Sequence, residues 1–219
     1  MIVSKPTKLI IIGEFLAFVL VSGSLFILGD KVQNNLSALN TAKKSDEPVV
    51  VIQPPPPTAL KPVTKIPDLD RPIVVTANLS ESIKENSLKH IKALIEDLKK
   101  NPDLYSSWLE LGIYRKIIGD YEGAIHAWQY ASLLRPNNAV AYGNLANIYI
   151  FELSNYKKGE QYLLKAISLA PNQVIYYEQA YEFYRFIVKD TDKARRILED
   201  GVSANPGNTI GLEKLLQEL

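Results

Sequence analysis

The side chains that most often do chemistry in proteins are scarce in this sequence. There is no cysteine, which excludes disulfides, thiolate nucleophiles and zinc–thiolate sites. The two histidines, His90 and His126, leave little material for metal binding or acid–base catalysis. No glycine-rich phosphate loop, nucleophile–base pair or metal-ligand spacing accompanies them, and the acidic residues are scattered as on solvated helix surfaces. We therefore expect no enzymatic activity, no cofactor and no metal site.

The overall charge gives no reason to expect a nucleic-acid partner. The 219 residues include 25 basic and 24 acidic side chains, for a formal net charge of +1. Binding to a phosphate backbone needs a concentrated positive field. The composition thus favours a protein, peptide or membrane as partner over DNA or RNA.

A long apolar segment, residues 9–28, follows a short tail, residues 1–8. It contains 20 residues with one ionisable group, Glu14, and as a helix it spans roughly 30 Å, the thickness of a bilayer core. We predict a single transmembrane helix. The alternative is a cleaved signal peptide, with Ser22, Gly23 and Ser24 as the small residues, but signal cores are shorter, about 7 to 15 residues.

Charges around this segment bear on its orientation. Lys5 and Lys8 precede it, whereas Asp30 and Lys31 cancel behind it, which favours a cytoplasmic N-terminus and an extracytoplasmic remainder. Glu14 either reaches the nearby interface or pairs with a basic group of a partner helix.

Residues 29–78 form a polar and proline-rich spacer. Eight prolines and no glycine lie between residues 45 and 76. Such density blocks helices and favours extended polyproline II, about 3.1 Å per residue. We expect a semi-rigid stalk, and the proline run at 54–57 is alternatively a ligand for an aromatic-lined groove.

The remaining chain, residues 79–219, is periodic. Pro136, Pro171 and Pro206 are 35 residues apart, each at the end of an amphipathic stretch. The unit at residues 105–138 resembles a tetratricopeptide repeat (TPR) at nine positions: Trp108, Leu111, Gly112, Gly119, Tyr121, Ala124, Trp128, Ala131 and Pro136. Residues 139–173 and 174–208 carry weaker copies of the pattern.

The resemblance implies an all-α solenoid of helix–turn–helix units. Residues 82–100 and 209–219 have apolar stripes and are expected to cap it, which gives eight helices. Ser82 and Glu85 have the spacing of a capping box. The first unit has Arg115 where the family usually has tyrosine. The second and third units have one extra residue between their helices and lack the turn glycine, with Ser154 and Lys189 nearby.

The resemblance also implies a binding site, because TPR partners commonly lie in the concave groove lined by the first helices. The groove positions include Leu109, Ile113, Lys116, Asn144, Asn147, Phe151, Glu178, Glu182 and Arg185. Only Asn144 agrees with the set that grips a C-terminal carboxylate in some members, so we expect no such clamp. The groove is apolar at one end and mixed in charge at the other, which suits an amphipathic helix or extended peptide. Alternatively, its apolar residues pack only within the protein.

Two functions follow from this organisation. The first is a membrane-tethered adaptor or scaffold that binds a protein or peptide in the groove. The second is a structural spacer subunit of a cell-envelope complex, without a separable ligand groove.

Overall fold

The computed structural model describes residues 65–219, and all regular secondary structure in this part of the chain is helical. The eight helices are α1 (Glu81–Lys100), α2 (Tyr105–Ile117), α3 (Tyr121–Leu134), α4 (Ala139–Asn147), α5 (Tyr156–Leu169), α6 (Val174–Glu182), α7 (Thr191–Ala204) and α8 (Ile210–Gln217). The all-α prediction is thus confirmed for these residues. None of their helices has the length and apolar character needed to cross a bilayer. The predicted transmembrane segment, residues 9–28, lies outside the described residues.

The helices pack as consecutive hairpins. Helix α2 pairs with α3, α4 with α5, and α6 with α7, and each hairpin contacts the next through α3 with α4 and α5 with α6. Helix α1 packs on α2 at one end, and α8 packs on α7 and α6 at the other. A row of hairpins of this kind buries an apolar face that no single hairpin could cover.

Small residues let the two helices of a hairpin approach closely. A Cβ atom on Gly112 would lie 2.2 Å from Nε1 of Trp128, and one on Gly159 would lie 2.3 Å from Cγ1 of Ile150. The Trp128 indole also donates a hydrogen bond to the backbone oxygen of Leu109, at 3.0 Å. These contacts explain why the pattern places glycine opposite large side chains.

The extra residue of the second and third units lies in a π-helical turn. Helix α4 continues into the π turn Ile148–Glu152, and α6 into Phe183–Val188. The backbone N–H of Leu153 donates to Ile148, five residues earlier, at 3.0 Å. A π turn holds one more residue than an α turn over the same rise. The spacing predicted this residue between the two helices of each unit, whereas it lies in the π turn at the end of the first helix.

The left-handed turn residue shifts accordingly. It is Gly119 in the first unit, with φ of 81°, and Ser154 and Lys189 in the others, with φ of 52° and 63°. Counted from the start of each unit, the second and third turns come one position later than the first. Two non-glycine residues therefore hold a conformation that costs them roughly 1–2 kcal/mol.

Helix α1 begins earlier than its predicted start at residue 82. Its N-cap is Ser80, whose hydroxyl accepts from the N–H of Ile83 at 3.5 Å. Ser82 lies within the helix, so its capping-box spacing with Glu85 is not used.

A non-helical segment, residues 67–79, packs on the first hairpin, and we name it the N-terminal strap. The backbone N–H groups of Thr76 and Ala77 donate to the oxygen of Ile118, at 2.9 and 3.1 Å. Leu69, Ile73 and Leu79 pack on the core formed by α1, α2 and α3. The last part of the predicted spacer at 29–78 is therefore not a free stalk, because its apolar residues are held against the helices.

Candidate functional site

The nine predicted groove residues lie on the first helices of the three hairpins or on the π turns that extend them. All nine side chains are half-buried. A lining of this kind is neither core nor fully solvated surface. It combines apolar packing with polar groups that remain open to a ligand.

The apolar part of the lining is anchored in the core. Leu109, Ile113 and Phe151 are partly buried and pack against buried core residues. Packing therefore uses one side of these residues and leaves the other side accessible. Between α4 and α6, Gly143 leaves room for the ring of Tyr176, because a Cβ on Gly143 would lie 2.5 Å from Cε1 of that ring.

A closed polar network occupies the part of the lining formed by α2 and α4. The ammonium of Lys116 donates to Oδ1 of Asn147 and lies 3.8 Å from Oε1 of Glu152. The hydroxyl of Tyr121 donates to the other Glu152 oxygen at 2.8 Å. Burial lowers the pKa of Lys116, and Glu152 opposes that shift. Burial, reinforced by Glu152, raises the pKa of Tyr121 to about 12. Lys116 is thus held by partners within the protein.

The second predicted cation of the groove, Arg185, is also engaged. Its Nη1 donates to the hydroxyl of Thr191 at 3.2 Å, at the start of α7. Sequence reasoning missed Thr191 and Glu152, since both lie outside the first-helix positions that the resemblance singles out.

The acidic residues of α6 differ from Lys116 in that they have no partner of opposite charge among the described residues. Glu178 and Glu182 lie one helical turn apart, and neither carboxylate forms an ion pair with any residue in 65–219. Burial raises the pKa of both, and Glu178 raises that of Glu182 further. Between them in sequence, Gln179 is 9% exposed, and its Oε1 has no hydrogen-bond partner among the described residues. This part of the lining therefore presents acceptors without donors.

A buried ionic cluster joins the N-terminal strap to the first hairpin. The Asp120 carboxylate accepts from Arg115, from Arg71 at 2.8 and 2.9 Å, and from the backbone N–H of Gly123 at 3.1 Å. Arg71 also reaches Glu122 at 3.1 Å. The sequence signal for this cluster was Arg115, which stands where TPRs usually have tyrosine. Its members satisfy one another, so it acts in stability.

The two histidines lie apart from the groove. His90 stacks on Tyr114, with ring centroids 4.5 Å apart. His126 is exposed on α3 and, with Lys65 and Asp68, lines a shallow cavity of about 460 Å³ beside the strap. No three acidic or histidine side chains in residues 65–219 are grouped as a metal site would require.

A comparison with known protein families identifies one of the three predicted repeats. The model of the tetratricopeptide repeat matches residues 139–173, the same residues as the second predicted unit. Residues 139–173 are a tetratricopeptide repeat. No curated protein sequence matches the chain. The TPR covers α4, its π turn and α5, and its helical neighbours pack on both sides. TPR arrays usually act as scaffolds that bind proteins or peptides, which points to protein–protein interaction.

Proposed function

We propose that this protein is a membrane-tethered adaptor that holds a partner protein or peptide in the concave groove of its repeat domain. The observation that carries the proposal is the set of nine half-buried side chains on the first helices, around a matched TPR. The second supporting observation is their chemistry. A surface with an apolar stretch next to unpaired polar groups can bind an amphipathic helix or an extended peptide.

The tether in this proposal is the apolar segment at residues 9–28, with the N-terminus in the cytoplasm and the repeat domain outside. The proline-rich chain between them supplies reach, and the strap fixes its far end on the first hairpin. Protease added to intact cells is expected to remove the repeat domain. Full protection of that domain would overturn the proposed orientation.

The groove is tested by crosslinking the full-length chain in its own membrane and recovering it with its partners. Asn144→Arg and Glu182→Arg place a bulky cation in the groove, and Glu199→Arg makes the same charge change as Glu182→Arg at an exposed site on α7. We expect the crosslinked partner to be lost in both groove variants and kept in the α7 variant. Equal recovery from all three variants would refute binding in the groove.

Deleting residues 1–30 distinguishes the adaptor from the alternative function, a spacer subunit held by its transmembrane segment. An adaptor keeps its specific partner after this deletion, because the groove is intact. A spacer subunit loses all association, since the deleted segment holds it in its complex.

A further inference from the structure

The groove of the proposed adaptor has an uneven balance of charge once internal contacts are taken into account. Its two cations, Lys116 and Arg185, are engaged by Asn147, Glu152 and Thr191. Its two anions, Glu178 and Glu182, have no cationic partner among residues 65–219. Lys116 and Glu152 cancel, and Arg185, which donates only to a neutral hydroxyl, offsets one of the two carboxylates, so the charge left for a ligand is −1 and lies on α6.

The geometry of α6 brings these acceptors to one face. At 3.6 residues per turn, Glu178 and Glu182 are about 40° apart around the helix axis, and Gln179 is about 60° from Glu182. The Oε1 of Gln179 also has no hydrogen-bond partner among residues 65–219, but it is closed to solvent, so the two carboxylates are the acceptors that a ligand can reach. On the π turn that follows, Phe186 is 63% exposed, which places an apolar surface beside the acidic pair in sequence.

Resting on the proposed function, we infer that the α6 part of the groove binds a basic amphipathic helix of a partner protein. Two lysine or arginine side chains, one helical turn apart, pair with Glu178 and Glu182. An apolar side chain of the same helix covers Phe186. Side chains four residues apart on a helix are about 5–6 Å apart, so two cations at that spacing match the two carboxylates.

The occupant is a cationic segment of protein rather than a carboxylate tail or a metal ion. A carboxylate would meet two like charges on α6 against one cation, Arg185, which disfavours binding. A metal ion needs several oxygen ligands around one point, and residues 65–219 contain no grouping of three acidic or histidine side chains.

The test uses three labelled synthetic peptides with the same leucine–alanine helix. They carry two arginines, two glutamines or two glutamates at positions four apart. The protein is the full-length chain in nanodiscs of zwitterionic lipid, so that the bilayer does not attract the cationic peptide, and empty nanodiscs are the blank. We expect fluorescence anisotropy to show the arginine peptide binding about tenfold more tightly than the glutamine peptide, and the glutamate peptide binding most weakly.

The matched variants are Glu178→Gln with Glu182→Gln, and Glu85→Gln with Glu199→Gln at exposed sites on α1 and α7. The first pair keeps side-chain size and is expected to remove the preference for arginine, while the second pair keeps it. Far-UV circular dichroism checks that both fold. Loss of the preference only in the groove pair supports the inference.

Each of the following results overturns it. One is equal binding of the arginine and glutamine peptides, and another is a preference that survives in the groove pair. The third is a rise in Tm with millimolar calcium that depends on Glu182, since this would assign the carboxylates to a metal. If the three peptides bind equally and Asn144→Arg abolishes binding, the groove proposal stands and only the basic occupant is refuted. If no peptide binds while the groove-dependent crosslink persists, the basic occupant is again refuted.

Discussion

Removing the carboxylate of Asp120 is the sharpest available test of how the first hairpin is held together. Asp120 and Arg115 are each 2% exposed, and the carboxylate also receives Arg71 and the N–H of Gly123 at the start of α3. Burial lowers the pKa of Arg115, and Asp120 opposes that shift. The Asp120→Ala variant leaves a buried guanidinium without its anion.

The magnitude follows from two losses. Breaking a buried ion pair by removing one partner costs about 3–5 kcal/mol, because the other charge stays buried. Loss of the N-cap of α3 adds about 1 kcal/mol. We therefore expect Asp120→Ala to lower the free energy of unfolding by at least about 4 kcal/mol. By contrast, Arg115→Met removes the buried cation and leaves Asp120 paired with Arg71, so the expected loss is below about 1.5 kcal/mol.

Urea unfolding of wild type and both variants measures the difference. Fluorescence of Trp108 and Trp128 reports the first hairpin, and far-UV circular dichroism reports the whole array; coincident midpoints support two-state treatment. A loss below about 1.5 kcal/mol for Asp120→Ala, or an equal loss for Arg115→Met, would refute the argument that the carboxylate compensates a buried cation.

Two further predictions concern helix packing and the acidic pair. Gly112→Ala is expected to cost about 1–3 kcal/mol in urea unfolding, because the new methyl group meets the indole of Trp128. Gly211→Ala on exposed α8 is expected to change stability by less than about 1 kcal/mol, because its Cβ would lie 3.3 Å from Oε1 of Glu178, the movable end of a side chain; equal effects would contradict the close contact. Burial raises the pKa of Glu178 and Glu182 above 4.5, so the folded state holds protons more tightly, and their contribution to stability falls as pH rises past that value. Replacing both with glutamine should therefore gain about 0.2–0.5 kcal/mol at pH 7 and nothing at pH 3, and a gain independent of pH would count against this reasoning.

The repeat architecture could be predicted because its signals are local and periodic. Prolines 35 residues apart, and large and small residues at fixed positions, indicated helical hairpins, and the described residues are all-helical. The N-terminal strap could not be predicted in the same way. Arg71 meets Asp120 across 49 residues, and no periodicity links two such positions. Its prolines predicted chain without helix, and such chain packs on a surface as readily as it forms a stalk.

The π turns show where a count of residues is insufficient. The extra residue near Ser154 and Lys189 was visible in the spacing, yet the spacing does not say which element absorbs it. A longer turn would expose more backbone, whereas a π turn keeps the N–H groups bonded, as Leu153 does to Ile148. Satisfaction of backbone hydrogen bonds explains the outcome, and that depends on three-dimensional contacts.

The candidate site shows the same limit in its electrostatics. Read from sequence, Lys116, Arg185, Glu178 and Glu182 make the groove mixed in charge. In the structure Lys116 pairs with Glu152, an anion outside the predicted groove positions, whereas Arg185 donates only to the hydroxyl of Thr191 and keeps its charge. A side chain counts toward recognition only to the extent that its own protein leaves it unsatisfied. The balance available to a ligand is therefore acidic, although the residue types in the groove are nearly neutral in sum, and the basic helix inferred above follows from that difference.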